Sequence, residues 1–267
     1  MRHSNLHTHT IFSDGKHMPE ENVLAAIEKN MVSLGFSDHS FTEFDRRYCL
    51  RKVNIPAYIR EIRRLQAKYA DRIEIYLGLE YDGYTQLEDR DLYDYILGDC
   101  HYVKVDGDYY SVDHAKAEQW SAIERFFGGD GVAYAKAYFE GYEECTRRTK
   151  PDILGHFDLA AKFGQVDETS PAYIKAAAET LISCLEVTPL IELNTGAISR
   201  KIRSVPYPAQ FLLREVLAHN GQIVLCSDSH DIENLDFYFD ESLELLKSLG
   251  FESIMQLRDG KFTQVGI

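Results

Sequence analysis

The chain has 267 residues, of which 45% are hydrophobic and 12% aromatic, and its formal net charge is −14. This composition excludes a disordered chain, and no apolar run approaches the roughly 18 residues that a membrane-spanning helix needs. The acidic balance argues against a nucleic-acid partner, because binding a polyanion requires a basic surface. No repeat or low-complexity linker divides the sequence, so we expect one domain over residues 1–267.

Short apolar strands alternate with amphipathic helices along the chain. Strands are predicted at residues 4–9, 34–37, 73–79, 95–98, 153–155, 190–193 and 222–226, and a hairpin is predicted at 254–263. Helices are predicted to begin near Pro19, Asn54, Ala133, Ser170, Pro208 and Leu235. The stretch 102–131 is rich in turn signals and is predicted to be a long, irregular functional loop. Seven parallel strands in a chain of this length favour a closed barrel over an open sheet.

The five cysteines are odd in number and never occur at CxxC spacing. This usage predicts buried free thiols in a reducing compartment. The N-terminus also lacks the apolar segment of a signal peptide. We therefore expect a cytoplasmic protein.

Two histidines, His7 and His9, lie at i and i+2 in the first predicted strand, so both imidazoles project from one face. Asp228 and His230 repeat this spacing after the last strand. Nine potential metal ligands in all lie at or just past the carboxyl ends of strands: His7, His9, Asp14, His39, Glu80, His101, His156, Asp228 and His230. Barrel enzymes carry their chemistry on that face, and so many converging polar groups would be costly to desolvate without cations. The sequence therefore predicts a metal centre.

Each of these residues has an ordinary structural explanation when taken alone. Asp14 in Ser13-Asp14-Gly15 is typical of a turn, His156 could donate to a backbone carbonyl, and Glu80 could pair with an arginine. Their recurrence at strand ends favours the metal centre. His17 lies in the same loop as Asp14, and we interpret it as a substrate contact or an alternative ligand.

The motifs around these residues resemble those of the polymerase and histidinol phosphatase (PHP) family. The resemblance spans residues 4–231 and rests on His7-Thr8-His9-Thr10, Phe12-Ser13-Asp14-Gly15, Ser37-Asp38-His39-Ser40, Glu80, His101, Gly155-His156-Phe157-Asp158 and Asp228-Ser229-His230. It implies a distorted, TIM-like (β/α)7 barrel with a centre of three divalent ions. Within the family, further segments are similar to the stand-alone histidinol-phosphate phosphatases of histidine biosynthesis: residues 110–114, Asp158-Leu159, Lys162-Phe163-Gly164, Asn194-Thr195-Gly196, Arg200 and Pro206-Tyr207-Pro208.

The resemblance also implies a ligand set for each ion. One metal would take His7, His9, Glu80 and Asp228; a second would take Asp14, His39 and His230; a third would take Glu80, His101 and His156, with Glu80 bridging. Histidine and carboxylate ligands suit Zn, Mn or Fe, and the sequence does not choose among them.

The resemblance implies hydrolysis of L-histidinol phosphate to L-histidinol and phosphate, and the expected mechanism is in-line attack of a metal-bound hydroxide. Glu80, Asp228 and His230 are the expected catalytic residues, and Arg200, Lys162 and His17 are the expected substrate contacts. Members of this group can carry an arginine near Ala160 and Ala161, where the nearest cation here is Lys162.

Three alternatives stay open at this point. A PHP-type phosphoesterase acting on a nucleotide or short oligonucleotide would use the same barrel, and a non-catalytic metal-binding module would bind metal without releasing phosphate. A metal-dependent amidohydrolase is compatible with the ligands alone. We expect a small phosphorylated substrate, with no nucleic-acid or membrane partner, and the sequence leaves the oligomeric state open.

Overall fold

The strands that build the site are short and almost wholly buried, as expected for a parallel sheet covered by helices. The protein is described from a computed structural model that covers residues 1–87 and 89–267. The strands of the described residues are β1 (Ser4–Asn5), β2 (Ser33–Phe36), β3 (Glu74–Asp82), β4 (Tyr95–Asp99), β5 (Tyr102–Val105), β6 (Asp108–Ser111), β7 (Ile153–Leu154), β8 (Leu190–Asn194), β9 (Gln222–Cys226), β10 (Ser253–Arg258) and β11 (Lys261–Gly266). The α-helices are α1 (Pro19–Glu28), α2 (Ile55–Lys68), α3 (Lys116–Phe127), α4 (Gly131–Thr149), α5 (Pro171–Leu185), α6 (Gly196–Ser199), α7 (Gln210–Ala218) and α8 (Phe239–Leu249).

The main sheet has the order β1-β2-β3-β4-β7-β8-β9-β10-β11. Its neighbours from β1 to β10 pair in parallel, and β11 pairs antiparallel with β10. The sheet curls until its first and seventh parallel strands meet, because Thr8, just past β1, bridges in parallel to Ser229, just past β9. The result is the expected (β/α)7 barrel, distorted by the β10–β11 hairpin that extends the sheet beyond β9.

The barrel interior is filled below the site by a separate apolar cluster that includes Leu6, Tyr95 and Val224. Tyr95 crosses this space and donates its hydroxyl hydrogen to the carbonyl of Leu6 at 2.5 Å. The Tyr95 side chain lies so close to β2 and β3 that a Cβ atom on Gly35 would come within 2.4 Å of its hydroxyl oxygen, and a Cβ atom on Gly78 within 2.2 Å of its ring. Glycine at these two positions therefore allows one aromatic ring to form the floor of the site.

Two further apolar clusters lie between the strands and the surrounding helices. All five cysteines are free and buried, which confirms the expected thiols. Across the described residues, none of the helices combines the length and the apolar character required to cross a bilayer.

The structure differs from the sequence prediction mainly in one segment. Residues 102–131 are not an irregular loop: they form the β5–β6 hairpin followed by the 12-residue helix α3. The turn signals at 106–108 mark the turn of the β5–β6 hairpin. Those at 128–131 mark the end of α3, where Gly128 adopts a left-handed backbone conformation. Several boundaries also move: β1 ends at Asn5, β3 extends past Glu80 to Asp82, and α8 begins at Phe239 and not near Leu235.

Candidate metal centre

The first histidine pair lies on the seam that closes the barrel. The backbone N–H of His9 donates to the carbonyl of Ser229 at 2.8 Å, and that of Ser229 donates to the carbonyl of His7 at 3.1 Å. Asn5 stabilises both sides of the seam, since its Oδ1 accepts from the N–H groups of His7 and Ser227, each at 3.1 Å. Both imidazoles are thereby directed to the barrel axis on a backbone that has little freedom.

Asp14 reaches the same point through a tight loop. The carboxylate of Asp38 accepts from the backbone N–H groups of Thr10 and Ser13 at 2.9 and 3.1 Å, which fixes the start of the loop. Glycine is required at position 15, because a Cβ atom there would lie 2.5 Å from the carbonyl oxygen of His9. Asp14 is a turn residue, as its local sequence suggested, and its carboxylate also approaches His230.

Glu80 is the centre of the cluster. Its Oε2 lies 2.6 Å from His39 Nδ1 and 3.4 Å from His9 Nε2. Its Oε1 lies 3.0 Å from His156 Nε2 and 3.3 Å from both His7 Nε2 and His101 Nε2. One carboxylate therefore faces five imidazoles, which is the arrangement expected of a bridging ligand.

Asp228 and His230 complete the ring from the end of β9. Asp228 Oδ1 lies 3.3 Å from His9 Nε2 and 3.8 Å from His7 Nε2. His230 Nε2 lies 3.2 Å from Asp14 Oδ2. The backbone of Asp228 has a φ of 47°, in the left-handed region that residues other than glycine rarely occupy. Such local strain persists where the surrounding structure fixes the residue, as the barrel seam does here.

Three carboxylates that the sequence analysis did not single out hold the outer nitrogens of the histidines. Glu192 Oε2 lies 2.9 Å from His7 Nδ1, and Asp99 Oδ1 lies 2.9 Å from His156 Nδ1. Asp82 Oδ2 lies 3.3 Å from His101 Nδ1. A carboxylate on this nitrogen fixes the tautomer that leaves Nε2 free to bind a metal. The signal in the sequence that could have identified these three carboxylates is an acidic residue within, or at the end of, an otherwise apolar strand.

The nine predicted ligands therefore converge, and they form overlapping groups. Ligand atoms lie within 4.8 Å of one another in the groups His9–Asp14–His39–His230, His7–His9–Asp228, His7–Glu80–His156 and His39–Glu80–His101. These groups contain every member of the three predicted ligand sets. They differ from the predicted sets in two ways: His9 also lies close to Asp14, and His39 also lies close to Glu80.

Divalent cations fit this donor set. His7 Nε2, His9 Nε2 and Glu80 Oε2 are buried and have no hydrogen-bond partner among the described residues. Leaving such atoms unpaired is costly, and a cation between them removes the cost. Burial, together with the adjacent His230 and His39, lowers the pKa of His9 to about 3, so its imidazole is neutral at physiological pH. His9 thus offers a neutral imidazole beside the ionised carboxylate of Asp228, whose pKa, against the effect of burial, is held below its usual range by the Arg200 guanidinium. These are the forms that bind divalent metals.

A cavity of about 400 Å³ opens directly above the cluster. Two of the predicted substrate contacts, Arg200 and Lys162, line it. Arg200 donates from Nη2 to Asp228 Oδ2 at 2.7 Å, and Lys162 donates from Nζ to the carbonyl of Asp113 at 3.0 Å. His17 is not among the lining residues; its Nε2 lies 3.3 Å from Asp231 Oδ1, which does line the cavity.

Metal binding is expected to release protons and to become tighter as the pH rises. Burial opposes protonation of His156, but Asp99 and Glu80 outweigh it and raise the pKa of His156 to about 10. The imidazole therefore holds a proton in the metal-free protein at neutral pH, and it must lose that proton to act as a ligand. Calorimetric titration with Mn²⁺ or Zn²⁺ in two buffers of different ionisation enthalpy measures the number released. The variant His219→Asn, which changes an exposed histidine, should release the same number, and titrations independent of the buffer would contradict the prediction.

Fold and site together define an α/β-barrel protein with a metal-binding cluster at the carboxyl ends of its strands. Residues 5–196 match the model of the PHP domain. The chain belongs to the PHP domain family.

Individual relatives agree with this assignment over nearly the whole chain. A probable histidinol-phosphatase of Deinococcus radiodurans is 27% identical over 260 residues, which cover 94% of each chain. The histidinol-phosphatase of Lactococcus lactis is 24% identical over 273 residues, covering 95% of this chain and 94% of the relative. A crystal structure of the Lactococcus lactis histidinol phosphate phosphatase, complexed with zinc, L-histidinol and phosphate, is 20% identical and superimposes with a TM-score of 0.71 over 98% of this chain and 99% of that one.

Proposed function

We propose that this protein is a metal-dependent phosphomonoesterase that hydrolyses L-histidinol phosphate to L-histidinol and phosphate. The observation that carries the proposal is that three cations, Arg200, Lys162 and Lys16, line the same cavity that the imidazole and carboxylate cluster closes from below. Cations placed next to a metal cluster favour an anionic substrate, even in a chain whose net charge is −14.

The proposed cofactors are three divalent ions, with Zn, Mn and Fe as the candidates. His7, His9 and Asp228 would hold one ion with Glu80, and Asp14, His39 and His230 would hold a second with His9 adjacent. His101 and His156 would hold the third with Glu80, whose two oxygens face different histidines. When bound, such ions supply a hydroxide near neutral pH and polarise the phosphoryl oxygens.

The chain's own residues would position the phosphate. The guanidinium of Arg200 presents fixed N–H donors that match phosphoryl oxygens, and Lys162 adds a point charge on the wall of the same cavity. Arg200 also restrains Asp228, since its Nη1 donates to the Asp228 carbonyl at 3.1 Å. We expect the alcohol to face the cavity mouth, away from the cluster, so that attack and departure occur in line. His17 would act through Asp231 and not by direct contact.

The histidinol half of the substrate is supported by the relatives, which are histidinol-phosphatases matched over nearly their full length. The acidity of the chain favours a small phosphate ester over a polynucleotide. Five free buried thiols agree with a reducing compartment, and we propose the cytoplasm as the site of action. A single functional domain over residues 1–267 is part of the same proposal.

The test is phosphate release from L-histidinol phosphate beside a panel of other monoesters and a short oligonucleotide, with enzyme reconstituted separately in Mn²⁺ and Zn²⁺. We expect kcat/KM for histidinol phosphate to exceed the others by at least about 100-fold, which corresponds to some 2.7 kcal/mol of discrimination. A profile led by the oligonucleotide would replace the proposed substrate, and metal binding without phosphate release from any ester would refute the enzymatic function.

A further inference from the structure

The cavity above the metal cluster contains a carboxylate that phosphate binding alone does not explain. Asp113 follows β6 and lines the cavity together with Lys162 and Arg200. Its Oδ2 lies 3.2 Å from Lys162 Nζ, and its Oδ1 accepts from Ser111 Oγ at 3.3 Å. The side chain is 28% exposed, so it is accessible to a bound molecule.

A carboxylate beside an anion site is unfavourable for the anion. A phosphate monoester carries close to two negative charges, and a fixed carboxylate within a few ångströms repels it in a partly desolvated cavity. Burial would raise the pKa of Asp113, but Lys162 and the nearby His101 and His156 outweigh it and hold the pKa below its usual range. The ion pair with Lys162 Nζ at 3.2 Å keeps the carboxylate ionised beside the phosphate site. Beyond holding Lys162, such a group can contribute to substrate binding if the substrate brings a positive charge of its own.

The other carboxylate on the cavity wall, that of Asp231, already pairs with two cationic or imidazole side chains. Among the described lining residues outside the nine proposed ligands, the only acids are Asp113 and Asp231. Asp231 Oδ2 accepts from Lys16 Nζ at 2.9 Å, and its Oδ1 faces His17 Nε2 at 3.3 Å. The partners of Asp231 are thus Lys16 and His17, whereas Asp113 is paired with Lys162, one of the two proposed phosphate contacts.

Asp113 is held rigidly next to Lys162. The buried amide of Gln119 donates from Nε2 to the carbonyl of Val112 at 2.8 Å and to that of Ala160 at 2.9 Å. It thereby joins the turn that carries Asp113 to the short segment that carries Lys162. This link fixes the separation of the two backbone segments that carry Asp113 and Lys162, as a specificity element requires, and leaves the Lys162 side chain free to turn.

We propose that Asp113 binds the protonated amine of the substrate and so selects esters that carry an ammonium group next to the phosphate. This rests on the proposed function. In L-histidinol phosphate the amine is on the carbon adjacent to the one that bears the ester oxygen, so its receptor must lie beside the phosphate contacts, where Asp113 is. Lys162 can turn from Asp113 to the phosphoryl oxygens as the substrate ammonium takes its place on the carboxylate.

The experiment compares L-histidinol phosphate with its analogue lacking the amine, 3-(imidazol-4-yl)propyl phosphate, in wild type and in Asp113→Asn. We expect the substitution to reduce kcat/KM for histidinol phosphate by about 30-fold, the loss typical of a charge-assisted hydrogen bond, and to leave the des-amino ester within about threefold of wild type. Glu124→Gln, which changes an exposed acid on α3 of the same segment, is the matched control and should alter neither substrate.

Two results would overturn the proposal. Equal losses on both esters would mean that Asp113 acts only by holding Lys162, and unchanged kinetics on both would remove it from substrate recognition. If wild type does not prefer histidinol phosphate, the proposed function fails separately. The pair O-phosphoethanolamine and ethyl phosphate then decides the role of Asp113: a selective loss on the amine ester supports it, and equal effects refute it.

Discussion

Glu80→Gln is expected to reduce kcat/KM for the phosphate ester by at least about 10³-fold, the scale of losing a central charge-stabilising group. The glutamine keeps the size of the side chain but removes the negative charge that faces His39, His156 and His101. Its amide nitrogen must also point at an imidazole nitrogen that is needed for the metal. We therefore expect both fewer bound ions and a slower reaction at saturating metal.

The measurement is metal content by mass spectrometry after dialysis, beside steady-state kinetics at saturating Mn²⁺ or Zn²⁺. Glu74→Gln is the control, because Glu74 lies at the opposite end of the same strand and accepts from the backbone N–H of Asp259. If the Glu80→Gln variant kept a full metal complement and wild-type rates, Glu80 would be excluded as a bridging ligand.

Glu192→Gln is expected to weaken metal binding by about 10- to 100-fold, the usual effect of losing an outer carboxylate on a histidine ligand. Glu192 makes three acceptor contacts: Oε2 with His7 Nδ1 at 2.9 Å, and Oε1 with the N–H of His156 at 2.7 Å and the Nδ2 of Asn194 at 2.8 Å. A glutamine has only one acceptor oxygen, so its NH₂ group must face a donor. His7 can relieve this conflict by moving its proton to Nε2, which removes the lone pair that would bind the metal.

Metal affinity is measured by competition with a chelator, and kcat is measured again at saturating metal. We expect added metal to restore a large part of kcat, which a general loss of structure would not allow. Glu186→Gln, at the exposed end of α5, is the matched control. Unchanged affinity in the Glu192 variant would mean that the tautomer of His7 is set by other contacts.

The sequence was sufficient to predict the barrel and to place the nine inward-facing side chains at one rim. It could do so because the carboxyl ends of parallel strands meet at a common face, whatever the details of packing. The i, i+2 pair at His7 and His9 also projects as expected, although the regular strand ends at Asn5. What directs the pair is the seam with Ser229, a contact between residues far apart in sequence.

Three features could not be read from the sequence, for related physical reasons. Glu192 and Asp99 lie within apolar strands, and only the folded barrel places them behind His7 and His156. Residues 102–131 were predicted to be irregular, because local turn signals do not reveal that β5 and β6 pair with each other. The position of Asp113 beside Lys162 depends on the Gln119 link between distant segments.

The seam between Thr8 and Ser229 has a consequence for when the protein can acquire metal. The cluster draws on residues from His7 to His230, and the last two arrive only after β9 has docked beside the start of the chain. A chain in which β9 has not yet docked therefore lacks the complete donor set, so we expect binding of the full set of cations to follow closure of the seam. Bound ions would join the ligands that follow β1 to those that follow β9, so we expect chelation to open this seam before the rest of the wall.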